Sequence, residues 1–283
     1  MNSLDTTAIN TWCPGCGNFS ILNAIKSVLA ALIADGWRHE DIVLVSDIGC
    51  SGKIMDYVGV NSFDSLHGRA VATAVGIKVA NPDLKVLVHI GDGGAYAEGI
   101  EHLVFAARRN VDLTVIVHNN GVYALTVGQA GPMTPPGFAG RSTPFGSETL
   151  PLNPLELLHV CGASWLGRGY THGIELLKRL YREALTHPGF SLVDTLQVCA
   201  TFRNMYANYN ARVYEESEGF DPRDETQSLA RIREWDYASP TGPIALGTLL
   251  IRDLPAFGEK YLSYGRQPVD VEAGVQEVFN SLV

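Results

Sequence analysis

Residues 84–121 read LKVLVHIGDGGAYAEGIEHLVFAARRNVDLTVIVHNNG. Two apolar runs rich in β-branched residues, 85–90 and 112–118, are each followed at once by a turn, GDGG after the first and NNG after the second. The residues between them, 97–109, carry the periodicity of a helix. Strands that are apolar on both faces and separated by helices belong to a parallel sheet covered on both sides. Both turns then lie at the carboxyl edge of the sheet, outside which open parallel sheets bind their ligands.

The same alternation extends in both directions. DIVLVSDIGC at 41–50 holds a strand at 42–46, and GFSLVDTLQVC at 189–199 holds one at 190–198. Helices are expected at 18–34, 68–80, 153–161 and 172–186. The first places Ile21, Leu22, Ile25, Val28, Leu29, Leu32 and Ile33 on one face, and Gly36 stands where a C-terminal cap belongs. Residues 128–150 are rich in Gly, Pro, Ser and Thr, and a loop that long is usually functional, so it is placed near the active site. Beyond 200 the pattern weakens: helices at 204–217 and 225–234, a strand at 243–251, and a tail to 283. The expectation is one α/β domain, residues 1–283, whose C-terminal part from about 200 packs on it and on a partner subunit.

A chain of 283 residues, 46% hydrophobic, can bury a substantial core. Its net charge of −9, without a basic block, argues against nucleic acid or an anionic membrane as partner. No apolar stretch reaches the roughly 18 residues needed to span a bilayer, and no signal peptide is evident, so the cytoplasm is the expected location. Five cysteines, two of them in a C-x-x-C, point to metal or redox chemistry rather than a disulfide framework.

The turns exclude two common readings. A dinucleotide fingerprint starting at Gly91 needs glycine at 96, where Tyr96 stands, and a P-loop around CSGKI needs glycine at 47 and Ser or Thr at 54, where Asp47 and Ile54 stand. What remains is Asp92 between glycines and Asn120 one helical crossover later, at the end of the next strand. Singly, each is ordinary turn chemistry. Together they suit Mg²⁺, which takes oxygen ligands and keeps its bonds to phosphate, so that a diphosphate needs only Asp92, Asn120 and the carbonyl of Val122 from the protein. Gly93 and Gly94 let the backbone approach the diphosphate, and a helix starting near Ala97 aims its positive end at it.

Cys13 and Cys16 flank a Pro-Gly turn in TWCPGCGNFS. A zinc site built from cysteine usually shows two close pairs, whereas here one pair is joined by the distant single residues Cys50 and Cys199. A thioredoxin-like dithiol leaves those two without a role. Both follow strands at the edge that carries Asp92 and Asn120, and four thiolates can hold a [4Fe-4S] cluster there. Cys161, in the apolar run LELLHVCGA, reads as buried packing. His89, His102 and His118 read as core or surface residues, and the cations of ARRN as a helix C-terminus.

The stretch 91–121 resembles the thiamin-diphosphate motif, a GDG followed about 30 residues later by an asparagine pair. With WCPGCGNFSIL, SDIGCSGK, HGRAVATAVGIKVANPDLKVLVHIGDG, AARRN and NNGVYALTVGQ, the chain resembles the β subunit of the 2-oxoacid:ferredoxin oxidoreductases, densely over 11–130 and more loosely through VCATF at 198–202. The resemblance implies a thiamin-diphosphate-binding fold carrying thiamin diphosphate, Mg²⁺ and one [4Fe-4S] cluster, working with an α subunit or a fused αγ chain. It implies Asp92, Asn120 and Val122 as magnesium ligands, and Cys13, Cys16, Cys50 and Cys199 as cluster ligands. It also implies that Ile48, Gly49, Cys50, Ser51, His67, Gly93, Gly94, Ala124 and Leu125 line the cofactor.

A lone histidine is more often structural. The place of His67 in LHGRA before a helix, with the family match, makes it a proton donor or a hydrogen-bond partner of the diphosphate. The implied reaction is oxidative decarboxylation of a 2-oxoacid, 2-oxoglutarate ahead of pyruvate, to acyl-coenzyme A and CO₂, with electrons passing through the cluster to ferredoxin. The carboxylate that activates the aminopyrimidine comes from the partner in this family, so Glu98 and Glu101 are not assigned that role. One departure stands out: many relatives have lysine, associated with coenzyme A, where this chain has Val127. The alternatives are a thiamin-dependent decarboxylase or synthase without redox chemistry, and a zinc-stapled subunit without catalysis.

Overall fold

The computed structural model describes residues 4–216, 219–259, 276 and 279–281. Its centre is an eight-stranded sheet with the spatial order β2-β1-β3-β4-β8-β7-β10-β9. These strands are β1 (Ile42–Ser46), β2 (Asn61–Asp64), β3 (Lys85–Gly91), β4 (Leu113–Asn119), β7 (Trp165–Tyr170), β8 (Phe190–Leu196), β9 (Val213–Glu215) and β10 (Ile244–Ile251). A short hairpin, β5 (Val122–Tyr123) and β6 (Gln129–Ala130), stands apart from the sheet. All neighbouring pairs run parallel except β10 against β7.

Every residue of β4, β7 and β8 is buried, as strands covered on both faces must be. The helices that cover them form two packed sets. In one, α1 (Asn18–Ala34) lies against α5 (Ile174–Thr186); in the other, α2 (Ala70–Ala80), α3 (Ile100–Arg108), α4 (Pro154–Cys161) and α7 (Glu225–Arg233) follow one another in contact. The apolar stripe of α1 buries Ile21, Ile25, Val28, Leu29 and Leu32, each such side chain stabilising the fold by roughly 1.5–3 kcal/mol. Gly36, at φ 110°, turns the chain out of that helix. Asn153 caps α4 by accepting from the Glu156 N–H, with Pro154 in the first turn.

Several expectations are corrected. The helix placed at 97–109 starts only at Ile100, and a π-helical turn, Gly94–Glu98, precedes it. The backbone end aimed at the carboxyl edge therefore belongs to Gly93 and Gly94, not Ala97. The helix expected at 204–217 is one short turn, α6 (Tyr206–Asn210), followed by β9. The strand β7 had no counterpart in the sequence reading, because the glycines and Arg168 of WLGRGY break an apolar run that tertiary burial nevertheless completes. The part of the tail expected to cover a partner lies mostly outside the described residues.

Candidate active site

Four neighbouring parallel strands, β1, β3, β4 and β8, end side by side, so the residues that follow them meet at one edge. Asp47 follows β1, Asp92 follows β3, Asn120 follows β4, and Gln197 to Cys199 follow β8. Around this edge lie two adjoining cavities.

The first, about 80 Å³, is walled by Ile48, Gly49, Cys50, Ser51, His67, Asp92, Gly93, Gly94, Asn120, Val122, Ala124 and Leu125, together with Tyr123. Asp92 is buried, and its Oδ1 accepts the Asn120 N–H at 3.3 Å. Its Oδ2 has no hydrogen-bond partner. Burial pushes this carboxyl up to about 7, against the pull of the Asn120 N–H and of nearby Arg203. An orphaned buried carboxylate oxygen is a costly feature that a cation would relieve. The Oδ1 of Asn120 faces the same turn, accepting from the Val122 N–H at 3.0 Å.

The glycines are required by close approach. A Cβ on Gly93 would stand 2.1 Å from the Tyr123 ring, and one on Gly94 would stand 1.9 Å from Asp47 Oδ2. Asp47, with the Gly68 N–H donating to its Oδ1 at 2.8 Å, thus ties the HGR loop to the wall beneath the GDGG turn. Burial raises it to about 6, and the charge of His67 opposes that shift. His67 itself is half-exposed, with Nδ1 3.4 Å from Glu98 Oε2, and the other oxygen of Glu98 accepts from the Tyr123 hydroxyl at 2.9 Å. Loop 128–150 reaches this region at its start, where Thr134 donates to the Gly121 carbonyl at 2.5 Å.

The second cavity, about 180 Å³, has Cys13, Cys16, Cys50 and Cys199 in its wall and shares Cys50, Asn120, Ala124 and Leu125 with the first. The Cys50 carbonyl accepts from Trp12 Nε1 at 2.7 Å and Asn18 Nδ2 at 3.2 Å, which clasps the N-terminal cysteine turn onto the β1 loop. Backbone and side-chain N–H groups reach the sulfurs: Phe202 N–H donates to Cys199 Sγ at 3.4 Å and Gln197 Nε2 to Cys16 Sγ at 3.5 Å. Burial raises the Cys16 thiol to about 11 and raises Cys50 as well, with the other thiols adding repulsion. Among the described residues, no three of His, Cys, Asp or Glu draw close enough to clasp a single ion. Four thiols spread around one void suit a larger polynuclear group. Cys161 lies apart from both cavities, half-buried at the end of α4.

Residues that the sequence does not mark as functional also converge here. Gln197 bridges Asn120 and Cys16, and Arg203 donates to the Asn120 carbonyl at 3.3 Å. Asp47 follows strand β1 at the ligand edge, the signal that marked Asp92, and could have been found from it. Gln197 stands two residues before Cys199, but nothing in its spacing reveals its partners. His89 and His118 form a buried pair, Nδ1 to Nε2 at 2.8 Å, continued from His118 Nδ1 to Asn18 Oδ1 at 2.8 Å.

The sheet, its ligand edge and the glycine-lined Asp-Asn site define a thiamin-diphosphate-binding protein. Residues 47–195 match the family described as thiamine pyrophosphate enzyme, C-terminal TPP binding domain. The chain is 42% identical, over 82% of its length and 80% of the relative's, to a 2-oxoacid:ferredoxin oxidoreductase subunit beta of Saccharolobus solfataricus. It is 39% identical to the 2-oxoglutarate synthase subunit KorB of Archaeoglobus fulgidus, over 69% of this chain and 71% of that one. A solved structure of 2-oxoglutarate:ferredoxin oxidoreductase from Magnetococcus marinus, with 2-oxoglutarate, coenzyme A and succinyl-CoA bound, superposes with a TM-score of 0.88 at 30% identity, covering 98% of this chain and 95% of its own. The chain belongs to the β subunits of the 2-oxoacid:ferredoxin oxidoreductases.

Proposed function

We propose that this subunit holds thiamin diphosphate through Mg²⁺ at Asp92, Asn120 and the Val122 carbonyl, and one [4Fe-4S] cluster at Cys13, Cys16, Cys50 and Cys199. With its α subunit it oxidatively decarboxylates a 2-oxoacid in the cytoplasm, transfers the acyl group to coenzyme A and passes the electrons to ferredoxin. The observation that carries the reading is the junction of the two cavities: an unpartnered buried oxygen of Asp92 on one side of Asn120, four thiols on the other. Thiamin diphosphate supplies the nucleophilic carbon when bound, and the cluster an exit for single electrons.

This chain's own residues position and shield. Asp92 and Asn120 offer oxygen to the cation; Gly93 and Gly94 let the backbone come within reach of the diphosphate; His67, steadied by Glu98, can hold a proton at Nδ1 or donate to a phosphate oxygen. The cofactor cavity is smaller than the roughly 300 Å³ at which small-molecule pockets begin, so the remaining walls come from the α subunit. Exposed Ile48, Leu125 and Phe202 stand where that subunit would cover them. The substrate is 2-oxoglutarate, a choice supported by the 2-oxoglutarate in the Magnetococcus structure and by the name of the Archaeoglobus relative.

The test is iron and sulfide analysis with EPR of the dithionite-reduced complex, together with an assay on a panel of 2-oxoacids using a ferredoxin or viologen acceptor. Four irons per β subunit and acceptor reduction dependent on 2-oxoglutarate and coenzyme A are expected. Cys13→Ala should remove the iron signal and leave Mg²⁺-dependent thiamin diphosphate binding intact. Decarboxylation without iron would replace the reading with a non-redox enzyme, and stoichiometric zinc without thiamin diphosphate would replace it with a non-catalytic subunit.

A further inference from the structure

Gln197 is buried at the carboxyl end of β8, and its carboxamide hydrogen-bonds to Asn120 on one side and to Cys16 on the other. The directions of its hydrogen bonds follow from the donors involved. Asn120 Oδ1 accepts from the Val122 N–H, so Asn120 must present its Nδ2 to Gln197, whose Oε1 accepts at 3.0 Å. The Gln197 Nε2 group then has two hydrogens to place. One goes to the Val198 carbonyl at 2.7 Å and the other to Cys16 Sγ at 3.5 Å. The backbone holds the bridge in register: Gln197 N–H donates to the Asn119 carbonyl at 2.9 Å, and Gly17 N–H donates to the Val198 carbonyl at 3.2 Å.

Turning either carboxamide over breaks the chain. A flipped Asn120 would set its NH₂ against the Val122 N–H and withdraw the oxygen offered to a cation. A flipped Gln197 would set an oxygen against both the Val198 carbonyl and the sulfur. Each amide therefore enforces the other's orientation across two residues that are distant in sequence and adjacent only because β4 and β8 are neighbours.

We propose that Gln197 is a positioning residue that couples the two cofactors: it locks the Asn120 oxygen toward the magnesium diphosphate and, through the same carboxamide, donates a hydrogen bond to the Cys16 sulfur. This rests on the ligand assignments proposed above. Groups one shell behind a metal ligand change metal affinity about 10–100-fold when removed. N–H donors to cluster sulfurs stabilise the more negative, reduced form and so raise the reduction potential.

The experiment compares wild-type, Gln197→Met and Gln197→Glu holo complexes with their α subunit. It measures thiamin diphosphate affinity at fixed Mg²⁺ by fluorescence quenching, cluster potential by EPR-monitored redox titration, and folding by thermal denaturation. Gln197→Met should weaken cofactor binding about 10–100-fold and move the potential to a more negative value. Gln197→Glu keeps an oxygen for Asn120 but sets the other, charged, against the Val198 carbonyl and the Cys16 sulfur, so it should weaken cofactor binding less than Gln197→Met and move the potential further negative, through the added charge as well as the lost N–H. Wild-type potential in both variants, or a loss of cofactor affinity in Gln197→Met with no change in potential, overturns the coupling. Absence of a cluster from the wild-type complex overturns the ligand assignment instead. If Gln197→Met does not fold, Gln197→Glu alone decides: an unchanged potential rejects the donor role.

Discussion

At the scale of the residue, Asp92 carries a carboxyl that folding has stripped of water. Its folded value, about 7, lies above its unfolded value of 3.8. Between these values the folded chain keeps a proton that the unfolded chain has released, so stability of the metal-free protein falls as pH rises through that window. Asp47 acts in the same direction up to about 6. Buried His89 and His118, which desolvation holds well below their ordinary value, act the other way, losing stability as pH falls below about 6.5. The carboxyl contribution is therefore read as the difference between the wild-type and Asp92→Asn denaturation midpoints across pH 5 to 7.5. Asp92→Asn should raise the metal-free midpoint at pH 7.5 more than at pH 5, and abolish the response to Mg²⁺. An Asp92→Asn midpoint that follows the wild-type midpoint at both pH values contradicts this account. Val127 poses a separate problem: a β-branched residue at φ 72° is strained. Val127→Asn, a residue tolerated in that region, should stabilise the fold by about 1 kcal/mol, read as a raised denaturation midpoint.

At the scale of the element, the π-helical turn Gly94–Glu98 decides how close the backbone comes to the ligand edge. It brings the side chain of Tyr96 to Asp194 on β8, with a hydrogen bond of 3.1 Å to Oδ1, while Asn119 donates to the same oxygen at 3.0 Å. One strand thus braces both turns of the site. Gly94→Ala must move either this turn or Asp47, because no room exists for the methyl group. Overpacking of this kind costs about 1–3 kcal/mol, so cofactor affinity should fall about tenfold or more. Isothermal titration with thiamin diphosphate at saturating Mg²⁺ would expose an error here as unchanged affinity.

At the scale of the molecule, the proposed function makes this chain half of a site. The rim residues Ile48, Leu125, Val127 and Phe202 are exposed apolar groups around both cavities, a surface that a monomer would bury. No helix among the described residues is long and apolar enough to cross a membrane. The purified β subunit alone should bind Mg²⁺ and thiamin diphosphate weakly and reduce no acceptor, and adding the α subunit should restore turnover. Full turnover by the isolated chain, measured with a viologen acceptor, would refute the shared site.

Much of this was readable along the chain. Periodicity located α1, α5 and the strands β1, β3, β4 and β8 within a residue or two, and the GDGG and NNG turns pointed to the ligand edge because strand ends in a parallel sheet gather there. β7 and the π turn were not readable, since burial of WLGRGY and the hydrogen-bonding pattern of GAYAE depend on neighbours far away in sequence.

Residue types, their spacing and the alternation of strands and helices therefore determined the fold class and nominated Asp92, Asn120 and the cysteines as candidates, because local periodicity and turn chemistry are written residue by residue. Only the tertiary structure decided that Asp92 keeps an oxygen without a partner, that four cysteines border one void, and that Gln197 joins the two. Strand order sets those relations, and strand order is a property of the packed sheet.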